Sequence, residues 1–415
     1  MNEQNKKTVR IIAWVTAICL LGDSMLYIVL PVYWASFGLD GLWQVGILLS
    51  MNRLVRLPLN PLVGWLYSWL PKRTGILISV VLACLTTAAF AFGTDFWLLL
   101  LARAAWGAAW SMLRIGGYLT VLEVSSSNRG RMLGSYNGII GIGSLVGMLA
   151  GGLFADLVGV RNIALVLSVI TALGFPLAWT FSSSTEAKAQ SRGAKSSLRG
   201  MKAGLFHPHA LLTLCSGFII AFLFQGLLNA SLSTLIDIEL PSQELAFSLF
   251  GLTFGAASIA GIVQALRWGW TPFLSPLVGK WSDGSRGRLP LYFTVLSIAI
   301  AGMLMLSLPL SFGTWMAVLI VVLLANTAIN TLSDALAADS AAQGGYTVVY
   351  MTTYTTILDV GAALGPLAAF TLIENYGTPG ITLLAALILA LLIVSWVIWG
   401  RRPLKASISM ESPLS

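Results

Sequence analysis

Charge is what this chain has least of. Asp, Glu, Lys and Arg make up 10% of its 415 residues, against roughly 25% in a soluble protein. A soluble fold of this length covers its surface with far more charge. A cytosolic enzyme, a disordered chain and a secreted disulfide scaffold are therefore excluded. Histidine is almost absent, with only His207 and His209. The three cysteines, Cys19, Cys84 and Cys215, all fall in apolar stretches. Neither residue type shows metal-ligand spacing, so no metal, redox chemistry or cofactor is expected. No G-x-x-x-x-G-K-[ST] loop is present, which argues against ATP as an energy source. Reactive side chains do not cluster at one depth, so a membrane enzyme is not expected either.

Long apolar runs are abundant instead. Apolar residues make up 57% of the chain, before counting 41 glycines. Crossing about 30 Å of hydrocarbon takes about 20 residues. Twelve stretches qualify: 11–37, 42–67, 74–92, 96–122, 131–157, 161–181, 208–236, 246–278, 289–310, 313–338, 346–371 and 378–399. The first is too long for the apolar region of a signal peptide, and it contains Asp23. The connections are short and carry turn formers, except for 183–206, rich in Ser, Lys and Arg, which divides the spans six and six. The expected organisation is an N-terminal six-helix bundle over 1–182, a cytoplasmic linker over 183–206, a C-terminal six-helix bundle over 207–400 and a cytoplasmic tail over 401–415.

Lysine and arginine set the orientation. With the N-terminus inside, 18 of 24 basic residues fall in inner segments, from Lys6, Lys7 and Arg10 to Arg401, Arg402 and Lys405. Outer loops carry only Arg161, and five arginines lie within spans. Both termini are thus expected in the cytoplasm of a plasma membrane, most simply a bacterial one. The net charge of +8 is a topology signal. No nucleic-acid partner is expected.

The two halves echo each other. Pro61-Leu62-Val63-Gly64 recurs as Pro276-Leu277-Val278-Gly279, and Arg73 matches Arg288 at the same offset of 215. Tyr136, Gly143, Gly147 and Gly159 match Tyr354, Gly361, Gly365 and Gly377 at an offset of 218. The expected fold is an all-α membrane protein of 12 transmembrane helices in two pseudo-symmetric six-helix bundles. Such parallel repeats place a substrate site between the halves, near the midplane.

These motifs resemble the major facilitator superfamily over the whole chain. Gly64 to Arg73 is similar to the family's G-x-x-x-D-R-x-G-R-K loop, with Ser68 at the Asp position. Gly279 to Arg288 keeps the acid as Asp283, with one extra residue before Gly-Arg. The resemblance implies a gate at Gly64, Gly279, Asp283 and Arg288, with the first-half acid missing. Arg103-x-x-x-Gly107 resembles the motif linked with proton coupling. Gly143-x-x-x-Gly147-Met148-x-x-Gly151-Gly152 resembles an exporter motif, with Met148 for its proline; the Gly-Pro pair stands at Gly365-Pro366 instead. Asp23-Ser24 followed by Leu30-Pro31 resembles the first-span motif of drug–proton antiporters, about one residue shorter. By itself, spacing of small residues every four positions implies close helix packing, here at Gly143, Gly147, Gly151, Gly361, Gly365 and Pro366.

A charge at a helix centre costs about 2.5–3.5 kcal/mol on insertion scales, so those that remain face the bundle interior. Asp23 is the expected proton carrier, with Tyr27 one turn on; a permanent ion pair to an arginine is the alternative. The resemblance makes Arg103 its partner. Arg103, Trp106, Trp110 and Arg114 share one stripe of span four, and Arg53 and Arg56 one face of span two. Arg53, Arg56 and Arg114 lack an acid partner in the first-half spans, which suggests an anionic substrate; snorkelling or carbonyl capping is an equal alternative for Arg56 and Arg114. In the second half Arg267, Asp334 and Asp359 are candidates for an ion-pair network. Gln225 with Asn229, and Asn326 with Asn330, either line the cavity or tie helices. Trp106, Trp110, Trp268 and Trp270 are substrate-contact candidates, whereas Trp14, Trp34, Trp43, Trp65, Trp69, Trp97, Trp315 and Trp399 read as interfacial anchors. Glu123 and Asp339 read as solvated, and His207 and His209 as interfacial.

The expected function is secondary active transport: proton-coupled export of a small organic molecule by a monomer in the lipid bilayer. The alternative is an importer or uniporter of an organic anion, or a lipid flippase, on the same fold.

Overall fold

A computed structural model describes residues 3–122, 129–181, 208–240, 247–249, 252–283, 287–343 and 347–399. The expected linker 183–206 and tail 401–415, with His207 and Glu123, lie outside them. The described residues are helical almost throughout. In the first half the helices are α1 (Glu3–Val32), α2 (Leu42–Leu54), α3 (Arg56–Leu66), α4 (Lys72–Phe92), α5 (Phe96–Leu122), α6 (Arg129–Val158), α7 (Val160–Ala172) and α8 (Gly174–Trp179). In the second half they are α9 (Pro208–Ile220), a π-helical segment (Ala221–Leu228), α10 (Asn229–Glu239), α11 (Ala256–Ser282), α12 (Leu289–Leu306), α13 (Phe312–Gln343) and α14 (Thr347–Trp399). Nine described stretches are long and apolar enough to cross a membrane by themselves, and the last of them, Tyr350–Trp399, is long enough to cross twice. Adding α2–α3 and α11, the described helices make twelve crossings in two pseudo-symmetric bundles of six.

Four boundaries differ from the sequence reading, each for a backbone reason. The second span breaks at Val55, because Pro58 has no N–H to donate to the Leu54 carbonyl one turn back. The sixth span breaks at Leu173, where Pro176 removes the bond to Ala172. The eighth span does not begin at 246. Its first residues form a short antiparallel hairpin, Phe247–Leu249 against Leu252–Phe254, and the helix begins at Ala256 after an extended Gly255. Spans eleven and twelve run on as α14, turning at Gly377 with φ 67°. Gly159, its counterpart in the first repeat, has φ 86°. Both positions need the left-handed conformation that glycine adopts without a Cβ penalty, so the repeat is visible in backbone geometry as well as in letters.

Glycine decides how closely the helices pack. α6 lies against α1, where a Cβ on Gly147 would sit 2.5 Å from the Leu21 carbonyl oxygen and one on Gly151 2.6 Å from Met25 Cγ. Gly143 meets the Ala17 carbonyl even more closely. The second repeat packs the same way: a Cβ on Gly361 would come within 2.5 Å of the Phe218 carbonyl, and Gly365 lies backbone to backbone on Gly226. The halves meet along two seams. α6 crosses α11 with Gly152 against Gly261, and α2 crosses α14 with Gly46 against the Pro366 carbonyl.

At the face where α1 ends, the halves are tied together. The Asp156 carboxylate of α6 accepts the backbone N–H groups of Gly255 at 2.7 Å and Ser258 at 3.1 Å, and the Ser258 hydroxyl at 2.5 Å. It thereby caps α11 from the other half, where the helix dipole favours an anion. The Tyr33 hydroxyl also donates to Asp156; burial and that carboxylate push the phenol well above its ordinary range, so it stays a donor. Glu374 accepts the Trp43 N–H at 3.0 Å, and Thr234 donates to the Pro31 carbonyl at 3.4 Å. This far face is closed.

Candidate functional site

Between the halves lies a cavity of about 610 Å³, lined from both sides. On α5, α6, α11, α13 and α14 its lining residues run from mid-helix toward the face where α1 begins. The cavity therefore opens toward that N-terminal face and ends beneath the closed one.

Asp23 lies near its closed end, with Tyr27 one turn beyond it. Its carboxylate takes a hydrogen bond from Arg103 Nη1 at 2.5 Å and one from Asn52 Nδ2 at 3.3 Å. Arg103 is itself 1% exposed and does not line the cavity; its Nε donates to the Leu48 carbonyl at 3.0 Å. The guanidinium thus joins α1, α2 and α5 behind the wall. Its Nη2 and the Asn52 Oδ1 are buried with no protein partner.

The other sequence candidates converge. Tyr27, Arg53, Arg56, Trp106, Trp110 and Arg114 line the first-half wall. Gln225, Asn229, Arg267, Asn326, Asn330, Asp334 and Asp359 line the second. The amides do both jobs that spacing left open: Gln225 donates to Asn330 at 3.1 Å, and Gln264 donates to Asn229 at 2.8 Å. Gln225 sits in the π-helical segment, a geometry concentrated at functional sites. In the second half no ion-pair network forms among Arg267, Asp334 and Asp359 in the described residues. Asp334 accepts the Tyr354 hydroxyl at 2.9 Å instead, and Arg267 lies 5.9 Å from the Trp268 ring centroid.

Several side chains fall elsewhere. Trp270 does not line the cavity; its indole N–H donates to Thr327 at 3.1 Å. Trp315 is 2% exposed and belongs to the core, because its flank of the helix turns inward, whereas Trp69 and Trp97 are exposed as anchors should be. Asp339 reaches solvent as expected, its side chain 44% exposed, and is also paired: Arg288 reaches it at 2.6 and 3.3 Å, and also Asp283 at 2.9 Å and the Ser282 hydroxyl at 3.0 Å. Those carboxylates raise Arg288 further above the usual guanidinium range. Gly64 and Gly279 have open space where a Cβ would stand. Ser68 donates back to the Trp65 carbonyl at 2.6 Å, and Arg73 stacks 4.6 Å over the Trp179 ring. His209 packs edge-on to Trp396, 5.3 Å between centroids. No His, Cys, Asp and Glu cluster among the described residues is suited to a metal.

Sequence reasoning missed Asp156, Asn52 and Tyr118. Asp156 carried a readable signal: it is an acid near the end of a span, where a neighbouring helix start can use it.

The sequence signature of the Major Facilitator Superfamily matches residues 12–355. The chain belongs to this superfamily. Among curated relatives, a multidrug resistance protein of Dickeya zeae is 26% identical over 66% of this chain and 65% of its own length. The chromaffin granule amine transporter of Rattus norvegicus is 25% identical over 62% and 48%, and the quinolone resistance protein NorA of Staphylococcus aureus is 30% identical over 34% and 36%. The chain thus spans less than two thirds of the length of these relatives. The superfamily fold extends over nearly the whole chain in solved structures. The nucleoside transporter NupG superposes with TM-score 0.76 at 14% identity, covering 97% of this chain and 100% of its own. A bacterial homologue of the lysosomal transporter Spinster, in an inward-facing conformation, gives TM-score 0.71 at 13% identity, covering 96% and 97%.

Proposed function

We propose that this superfamily member is a proton-coupled exporter of a small organic molecule, working by alternating access. The observation that carries the reading is the buried Asp23–Arg103 pair at the closed end of a cavity lined by both repeats. Drawing Arg103 away would leave the carboxylate as an unpaired charge within the membrane, which is costly; taking up a proton removes that charge, and re-forming the pair releases the proton. A potential of about 100 mV supplies about 2.3 kcal/mol per elementary charge moved, so one proton per cycle drives useful accumulation. The drug-resistance names of the Dickeya and Staphylococcus relatives support export.

The strong basic bias of one set of segments supports placing the N-terminal face in the cytoplasm of a plasma membrane. In that orientation the cavity faces inward, ready to load from the cytoplasm. The bodies 1–182 and 207–400 rock about the seams as a monomer, with Arg288, Asp283 and Asp339 fastening the inner ends of the second half. Import or uniport of an organic anion, or lipid movement, on the same fold is the second reading.

Reconstituted protein with an imposed pH gradient tests the proposal. Asp23→Asn should abolish gradient-driven flux while keeping substrate exchange. If the variant retains full pH-driven flux, Asp23 is not the proton carrier.

A further inference from the structure

Four arginines meet in the cavity: Arg53, Arg56 and Arg114 from the first repeat, Arg267 from the second. Among the described residues none of them forms an ion pair; the ion pairs there belong to Arg103 and Arg288. Their hydrogen bonds go to neutral oxygens. Arg53 Nε reaches the Tyr27 hydroxyl at 3.5 Å, Arg56 Nε the Asn52 carbonyl at 2.9 Å, and Arg114 Nε the Tyr118 hydroxyl at 3.2 Å. Each guanidinium carries five donors, so most remain for a ligand. Lining one cavity, the four guanidinium groups repel one another. Holding like charges together in a membrane is costly. Of the lining carboxylates, Asp23 is held by Arg103 and Asp334 by Tyr354. Asp359 lines the same cavity and, among the described residues, is held by no hydrogen bond or ion pair.

We propose that the transported molecule is an organic anion, a carboxylate or phosphate on a flat apolar body. The four arginines bind its anionic group, and Asp359 is the resident counter-ion that it displaces. Trp106 and Trp110, with ring centroids 6.2 Å apart, and Trp268 wall the apolar body. A cation meets net repulsion in the same place. The inference rests on the transporter reading and adds the substrate class to it.

Calorimetric titration of the full chain in detergent tests it with four probes that share one ring system: 2-naphthoate, 2-naphthyl phosphate, 2-naphthamide and 2-naphthylmethylammonium. At least one anion should bind tenfold or more tightly than the amide and the ammonium. Arg53→Ala and Arg267→Ala should each weaken anion binding roughly ten- to a hundredfold, the scale of a lost charge-assisted hydrogen bond. Asp359→Asn should tighten anion binding, a gain that a folding defect does not produce. The proposal is overturned if neither anion binds, if the amide or the ammonium binds as tightly as the better anion, if both arginine variants keep the parent affinity, or if Asp359→Asn does not tighten it. Binding needs no gradient. Anion binding without pH-driven flux would overturn proton coupling alone, and pH-driven flux of the ammonium would overturn the anion assignment alone.

Discussion

Arg103 donates to Asp23 of α1 and to the Leu48 carbonyl of α2 from its own place on α5. Its removal leaves the part-buried Asp23 carboxylate without its counter-charge, a loss of up to roughly 3–5 kcal/mol. Arg103→Ala should therefore lower the thermal unfolding temperature in detergent, whereas the double change Asp23→Asn, Arg103→Gln should recover most of that loss and still lack pH-driven flux. A double variant as unstable as Arg103→Ala would mean that the Leu48 bond, not the charge, holds the site. At this scale the sequence was highly legible. Charges are scarce and each is expensive in lipid, so the Arg and Asp residues singled out within spans pointed to the cavity, with Arg103 just behind its wall, whereas Asp156 near the end of its span was passed over. Trp315 and Trp270 were not legible, because an indole suits an interface, a core and a cavity wall equally and only tertiary packing separates them.

Helix packing depends on positions where a side chain has no room. Gly143→Val and Gly361→Val occupy equivalent places in the two repeats and each would drive a side chain into a neighbouring carbonyl, of Ala17 and Phe218. Both should sharply reduce the yield of folded, monodisperse protein. Gly134→Val, with nothing within 4 Å of its Cβ position, should match the parent; an equal loss at Gly134 would point to the valine side chain itself rather than to packing. Span existence was legible from hydropathy alone. Span integrity was not: the breaks at Val55 and Leu173 follow from Pro58 and Pro176, yet prolines elsewhere, such as Pro272 and Pro276, sit inside an unbroken α11. The hairpin at Phe247–Phe254 is as apolar as the span it was assigned to, so composition gave no means of separating them.

Across the whole molecule, closure at the far face concentrates on Asp156, which gathers donors from Gly255, Ser258 and Tyr33. Asp156→Ala leaves those donors unsatisfied and uncaps α11, an effect of about 1–3 kcal/mol, enough to shift a two-state equilibrium roughly five- to a hundredfold. Spin labels at Arg161 and Glu239 should report a longer distance in Asp156→Ala than in the parent. An unchanged distance distribution would assign the closure to the Trp43–Glu374 and Pro31–Thr234 contacts instead. The two seams have a mechanical consequence. Where Gly152 faces Gly261 the two bodies meet backbone to backbone, and where Gly46 faces the Pro366 carbonyl the Phe370 ring is the nearest side chain. In the proposed alternating-access cycle, rotation about the Gly152–Gly261 contact needs no knob to leave a hole and no rotamer to flip, so that seam would act as a plain bearing. Adding a single methyl group at Gly261 would put a tooth on the axle, slowing the cycle while leaving the cargo's grip unchanged.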